Sequence, residues 1–247
     1  KENWQLFAEL GWLAVPFSEE SGGLGGSAVD LMVMMEEFGK GNLVEPFLSS
    51  VVLCGGLVNE LADEDRKAEK LGKVISGDLM LACAFAEAGS RFNLSKVATS
   101  ATSKGDNIVI NGKKIAVLNG PNADELLVVA RESGGETDPD GISVFCVPPA
   151  TEGVTIRPFT NVDGQKSSEI DFNGVVISEA ARLGEKGNAL GALEKAADRV
   201  IVGLSAEAVG ALEVLLRKTV EYSKTRKQFG TSIGTFQALQ HRMADMF

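Results

Sequence analysis

Apolar positions along this chain change period twice. Over roughly residues 1–74, Trp4, Phe7, Ala8, Leu10 and Leu13 recur at helical spacing as far as Pro16. A second helical pattern starts at Ser27, a capping residue type, and runs through Met35 and Phe38. Between the two, Gly22-Gly23-Leu24-Gly25-Gly26 reads as a surface loop, because no strand precedes it and no phosphate-binding lysine or dinucleotide fingerprint comes after it. From about 78 to 184 the pattern shortens to strands. Residues 79–85 form a buried apolar run, and 108–118 carry Asn111-Gly112, a pair that predicts a tight hairpin turn. Short runs at 126–129, 142–147, 154–158 and 168–172, separated by Gly, Asn and Asp, predict an antiparallel barrel or sandwich.

After Gly187 the helical period returns. Leu190, Leu193, Ala197, Ile201, Leu204, Ala208, Leu212, Leu215 and Val220 mark one long helix over 188–224, with a small-residue face at Gly203, Ala206 and Gly210 expected to be buried against other helices. A second helix starts near 236 with the stripe Phe236, Leu239, Met243 and Met246, and is expected to be still running at Phe247 with its apolar face unfinished. The chain therefore reads as a piece of a longer protein. These patterns give an α+β multidomain fold class: an N-terminal helical domain (1–74), a middle antiparallel β-barrel or sandwich domain (75–186), and the start of a C-terminal helical bundle (187–247).

Composition narrows the function classes. At 44% hydrophobic, the 247 residues can bury a sizeable core, yet no run of 18 apolar residues predicts a membrane span. Lys1-Glu2-Asn3-Trp4 lacks the zones of a signal peptide. A net charge of −10 argues against a nucleic-acid partner, since phosphate backbones need a basic surface. Cys54, Cys83 and Cys146 are odd in number and sit in apolar settings, which predicts buried free thiols and a cytoplasmic protein. His241 is the one histidine, so a Ser-His-Asp set or a His-rich metal site is not expected, and interface or packing is its default role.

The segment 226–247, RKQFGTSIGTFQALQHRMADMF, carries the chemistry. Arg226 offers a fork of donors matched to a pyrophosphate, Gln228 and Gln237 offer uncharged hydrogen-bond groups, and Phe229 a flat apolar face. A helical hairpin with a glycine turn would explain part of the pattern. The full run nevertheless resembles the acyl-CoA dehydrogenase family, whose R-x-x-F-G-x-x-[IL]-x-x-x-Q-x-x-x-x-x-[LM]-A-[DE]-M has the same spacing. The P-x-x-E-x-G-G-L-G-G flavour of residues 16–26 is similar to that family too, and the resemblance covers essentially the whole chain.

The resemblance implies FAD as cofactor, an acyl-CoA substrate dehydrogenated at its Cα–Cβ bond as in fatty-acid β-oxidation, a tetramer built as a dimer of dimers, and a flavoprotein electron acceptor. It implies cofactor binding by Arg226, Gln228, Phe229, Phe236, Gln237 and Ser90, and a weak acyl-CoA contact at Asp198 and Arg199. A polyanionic CoA on an acidic chain would need a local basic patch. The resemblance also exposes departures. Where the family has T-E-P-G-A-G-S-D, this chain has Ala86-Glu87-Ala88-Gly89-Ser90-Arg91, two residues shorter and without the threonine hydroxyl. Where the family has K-x-[WY]-I-[TS]-N-G, it has Lys114-Ile115-Ala116-Val117-Leu118-Asn119-Gly120, losing the aromatic at Ala116 and the hydroxyl at Leu118. No catalytic base is expected in the chain: one family position for it aligns near Val200, and the other lies beyond Phe247. This combination resembles the small subunits of heteromeric members such as pimeloyl-CoA dehydrogenase, which share one FAD with a paralogous chain. A scaffold that has lost flavin and an acyl-CoA oxidase remain the alternatives.

Overall fold

The computed structural model describes residues 2–247. Helix α1 (Glu2–Glu9) buries Trp4 and Phe7, while Leu10, counted in the same stripe by periodicity, is exposed. Helix α2 (Ala28–Gly41) begins directly after Ser27 and buries Leu31, Met35 and Phe38, as the pattern predicts. An almost wholly buried π-helical segment, Phe47–Gly55, runs straight into α3 (Gly56–Leu61), and hydrophobic periodicity alone does not resolve the two. Helix α4 (Glu64–Ile75) is capped by Asp63, whose carboxylate accepts from Arg66 N–H at 2.9 Å.

The middle of the chain is one eight-stranded sheet of β1 (Leu81–Ala84), β2 (Ser100–Lys104), β3 (Asn107–Leu118), β4 (Glu125–Arg131), β5 (Ile142–Val147), β6 (Val154–Thr160), β7 (Lys166–Ser178) and β8 (Arg182–Leu183). Its path is β6-β7-β3-β2-β4-β5-β8. Residues from both ends of that path, Ile170 and Phe172 at one and Phe145 and Val147 at the other, share a single apolar core. Most pairings are antiparallel. Two are not: β1 runs parallel to β4, and β2 touches β4 in parallel at Ser100 and Arg131.

Asn111-Gly112 does not turn the chain. Both residues lie inside β3, at a register shift against β7. Gly112 takes φ 154°, and a Cβ there would stand 2.4 Å from Thr99 Oγ1, so the glycine permits a close backbone approach rather than a reversal. Asn111 Oδ1 instead accepts from Gly174 N–H at 2.8 Å on the neighbouring strand. The β2–β3 turn is Gly105-Asp106, with glycine at positive φ in the first central position, as a type II′ turn requires.

By contacts the chain forms two compact units, one of the residues up to Ala28 with Val44–Ile201, the other of Val29–Leu43 with Val202–Phe247. Helix α5 (Leu190–Thr225) is the predicted long helix. In the second unit its small-residue face packs against α2 of the same chain. A Cβ on Gly39 would stand 2.0 Å from the Glu207 carbonyl oxygen, and Lys40 forms ion pairs with Glu36, Glu37 and Glu213. The small residues thus pack against another helix, as their spacing predicts. The leucines are the open face: Leu204, Leu212 and Leu215 are each more than half exposed. After a short hairpin of β9 (Lys227–Gln228) and β10 (Thr231–Ser232) comes α6 (Gln237–Met246), with Phe247 N–H still bonded to the Ala244 carbonyl, and its stripe of Phe236, Leu239 and Met246 is exposed as well.

Candidate functional site

Arg226 stands just past the last turn of α5, its amide still bonded to the Tyr222 carbonyl at 2.8 Å. The hairpin then pairs Gln228 with Thr231 and Lys227 with Ser232, leaving Phe229-Gly230 as a two-residue turn with φ of 54° and 82°. Positive φ at both central residues defines a type I′ turn, which normally takes Asn-Gly. A phenylalanine in that conformation is strained. Its side chain gains no burial in return, being 93% exposed. Phe229 meets Phe236 edge-on, ring centroids 6.2 Å apart, and Ile233 N–H donates to the Arg226 carbonyl at 2.9 Å. Gln237 opens α6 directly after Phe236, and Gln240 Nε2 donates to the Gly234 carbonyl. Gln228 is satisfied locally through the Lys227 carbonyl.

Five of the sequence-selected residues, Arg226, Gln228, Phe229, Phe236 and Gln237, therefore share one small hairpin and the helix start after it. Among the described residues, the Arg226 guanidinium has no hydrogen-bond or ion-pair partner. An unpartnered guanidinium at a helix exit and an exposed aromatic ring on the same hairpin suit an anion carrying a planar ring, and a pyrophosphate joined to adenine is such a ligand.

The remaining selected residues lie in the first unit. Ser90 is buried, and its hydroxyl closes its own turn, donating to the Glu87 carbonyl at 2.9 Å and accepting from Glu87 N–H at 3.2 Å. Asp198 and Arg199 are exposed neighbours on α5 that do not pair with each other. Arg199 instead meets Glu60 at 3.4 Å, and Lys195 joins the same carboxylate at 3.1 Å. Among the described residues, no hydrogen bond or ion pair links Ser90 to Asp198 or Arg199.

The two motif stretches that depart from the family are docked on each other. Ile115 N–H donates to the Ala86 carbonyl at 2.9 Å, where the next residue, Ala116, takes φ 49° at a bulge in β3. Lys114, fully buried, places Nζ 2.6 Å from Glu87 Oε1 and 3.3 Å from the Phe85 carbonyl. The same carboxylate accepts from the Ala98 and Thr99 amides at 2.8 and 3.0 Å. Burial pushes the Glu87 carboxyl up, but the Lys114 ammonium and the amide donors outweigh it and hold the group below the usual carboxylate range. For Lys114 itself, burial is the larger effect and lowers it. With these short polar contacts around the pair, the charged state is the one the geometry supports. Sequence reasoning passed over this pair, although both residues stood in the quoted motifs; separation by 27 positions hid it. Ala86, Ala116 and Leu118 supply no side-chain hydroxyl or aromatic ring to this surface.

The cysteines are buried and unbridged, as their apolar settings predict. Distant in sequence, they converge in space: Leu127 pairs with Cys83 on one side and Cys146 on the other, and Cys54 is close enough to Cys83 to feel it electrostatically. Burial first, then Cys83, pushes the Cys54 thiol well up, and burial with the Glu125 charge raises Cys146 to about 11. Such thiols stay protonated and inert. Among the described residues no cluster fits a metal ion, and no helix is long and apolar enough to cross a membrane.

Helices, then a mainly antiparallel sheet around one core, then a helix leading into an arginine-aromatic hairpin define a helix–sheet–helix order along the chain. Three family profiles match in that order: the acyl-CoA dehydrogenase N-terminal domain over residues 1–78, the middle domain over 82–175 and the C-terminal domain over 192–247. The chain belongs to the acyl-CoA dehydrogenase family. It is 30% identical over 253 residues to the short-chain-specific acyl-CoA dehydrogenase of Clostridium acetobutylicum, covering 99% of this chain and 66% of that protein. It is 29% identical over 244 residues to the caffeyl-CoA reductase-Etf complex subunit CarC of Acetobacterium woodii, covering 97% of this chain and 64% of that one. A solved FAD complex of PigA superposes with a TM-score of 0.91 at 28% identity, covering 99% of this chain and 66% of its own. The chain thus spans about two thirds of the length of these relatives.

Proposed function

We propose that this chain is a subunit of an FAD-dependent acyl-CoA dehydrogenase that completes a flavin site together with a second, paralogous chain. The observation that carries the reading is the asymmetry between two surfaces. The hairpin keeps an unpartnered Arg226 beside an exposed Phe229 held in a strained conformation. The sheet surface at Ala86, Ala116 and Leu118 offers no group to a flavin ring. A scaffold that had lost flavin would have no use for a strained arginine-aromatic clamp, which disfavours that alternative.

In this reading Arg226 binds the pyrophosphate as a two-pronged donor, Phe229 and Phe236 cover the adenine, and Gln228 and Gln237 take its remaining polar groups. Gly89 and Ser90 offer backbone approach on the sheet side, and Asp198 and Arg199 the acyl-CoA contact. FAD, when bound, supplies the hydride acceptor for α,β-dehydrogenation. This chain binds and orients; the base that takes the α-proton comes from outside these residues. A flavoprotein of the electron-transferring type is the proposed acceptor, supported by the A. woodii relative named as part of an Etf complex. The open leucine face of α5 supports assembly as an α2β2 tetramer.

The deciding experiment is co-purification of the full-length protein with a second dehydrogenase-like chain, followed by a flavin absorbance spectrum. Leu118→Thr should leave that spectrum unchanged. A flavin-loaded protein lacking any paralogous chain, whose spectrum shifts with Leu118→Thr, would mean that this sheet holds a flavin ring of its own and that the site is not shared. A monomer in light scattering with the partner present would end the tetramer reading.

A further inference from the structure

The buried Lys114–Glu87 pair joins the two motif stretches that the fold brings together, and it does so at the foot of the loop carrying Gly89 and Ser90. Separate stretches of backbone are tied through it. Glu87 takes the Ala98 and Thr99 amides, which close the far end of the loop, while Lys114 takes the Phe85 carbonyl at its near end. Beside it, Ile115 N–H holds the Ala86 carbonyl. The far side is pinned independently: the Arg131 guanidinium donates to the Ser95 carbonyl at 2.7 Å and the Val97 carbonyl at 3.1 Å. The tip between these anchors is presented outward, with Arg91 at φ 49° and Phe92 fully exposed. A buried ion pair is an inefficient way to stabilise a sheet, since apolar residues of the same volume do as well or better. What such a pair supplies is a fixed geometry between two backbone segments.

We infer that Lys114 and Glu87 are positioning residues, a latch that sets the Gly89-Ser90 turn against the β3 bulge so that the loop meets its dinucleotide ligand already ordered. This rests on the FAD reading above for the identity of the ligand, but not for the existence of the latch. Neither side chain touches the cofactor in this account; each acts through the backbone of residues 85–99.

The test uses the purified full-length protein with its partner chain, and two probes. Amide hydrogen exchange without added ligand reads the order of residues 88–98, and titration of flavin-stripped protein with FAD reads affinity. Lys114→Met and Glu87→Gln should each speed exchange across 88–98 and weaken FAD binding at least tenfold, at a temperature where circular dichroism shows the protein folded. Lys70→Met breaks another part-buried pair, Lys70–Glu125, at the opposite end of β4 from Arg131. It should lower the melting temperature comparably while leaving exchange at 88–98 and FAD affinity at wild-type values. If Lys114→Met and Lys70→Met behave alike once matched for lost stability, the pair is merely structural and the latch is wrong. If wild-type protein binds no FAD, the cofactor reading fails; faster exchange at 88–98 in Lys114→Met would then still support the latch, and unchanged exchange would overturn it. Should Lys114→Met not fold, Glu87→Gln decides by the same two measurements.

Discussion

A Cβ placed on Gly210 would stand 1.9 Å from the carbonyl oxygen of Glu36, closer than any real contact of that kind. Helices α2 and α5 of the second unit touch backbone to backbone at this point, and Gly39 against Glu207 repeats the arrangement one crossing along. In an exposed helix, exchanging glycine for alanine stabilises by up to about 1 kcal/mol. Here the sign reverses. Gly210→Ala should destabilise by about 1–3 kcal/mol, because the helices must move apart to admit one methyl group. Thermal unfolding of Gly210→Ala beside a Gly72→Ala control, where a Cβ meets nothing within 4 Å, measures the difference. A rise in melting temperature for both would show that the crossing is looser than described.

Arg226→Ala removes a charged group of the hairpin that lacks a side-chain partner among the described residues. A charge-assisted two-pronged contact is worth about 1.5–3 kcal/mol, so FAD affinity should fall by about one to two orders of magnitude. Flavin content of the purified complex and a fluorescence titration both report it. Stability without flavin should be unaltered, since the exposed guanidinium makes no hydrogen bond or ion pair among the described residues.

Phe229→Asn separates folding from function. Asparagine is the residue a type I′ turn favours, so relief of the positive-φ strain should raise stability by about 1 kcal/mol. The same change deletes the exposed ring and should weaken FAD binding. A more stable protein with poorer flavin retention is the expected pair of outcomes from melting and titration. An affinity equal to wild type would remove Phe229 from the site.

Acid should loosen the sheet. Glu132 is nearly inaccessible; burial pushes its carboxyl up, but Arg182 and Ser143 outweigh that and hold it below the usual value of 4.5, and Glu87 is depressed likewise. A depressed carboxyl contributes stability that is present above its unfolded value and lost as pH falls through its folded one. The melting temperature should therefore hold from neutrality to about pH 4.5 and fall progressively below it. Glu132→Gln should flatten that fall, while starting from a lower plateau at pH 7.

Much of the fold was legible because helix and strand periods differ so plainly. The stripe Leu31, Met35, Phe38 and the alternation around Ile108 and Ile110 need no tertiary information. Asn111-Gly112 misled because the pair's turn preference was overridden by Thr99 pressing on the glycine from a neighbouring segment, a contact no local window contains. The α5 leucines marked the long helix correctly; which of its faces α2 approaches was decided by Gly39 and Gly210, a contact between distant segments. The hairpin was readable as a motif, since Arg226, Phe229 and Gln237 are close in sequence. The Lys114–Glu87 contact was not, because pairing over such a separation depends on how β1 and β3 are threaded.

Arg131 donates to six main-chain carbonyls, those of Ser95, Val97, Ser133, Glu136, Asp138 and Asp140, and to no carboxylate among the described residues. Every amino acid carries a carbonyl, so this anchor is blind to the side chains it organises. The hold that Arg131 exerts does not depend on the side chains at those six positions, whereas replacing Arg131 would release all six carbonyls. Natural variation among related chains should therefore pool in these loops, and a library randomised there would keep its architecture while exploring new surface chemistry.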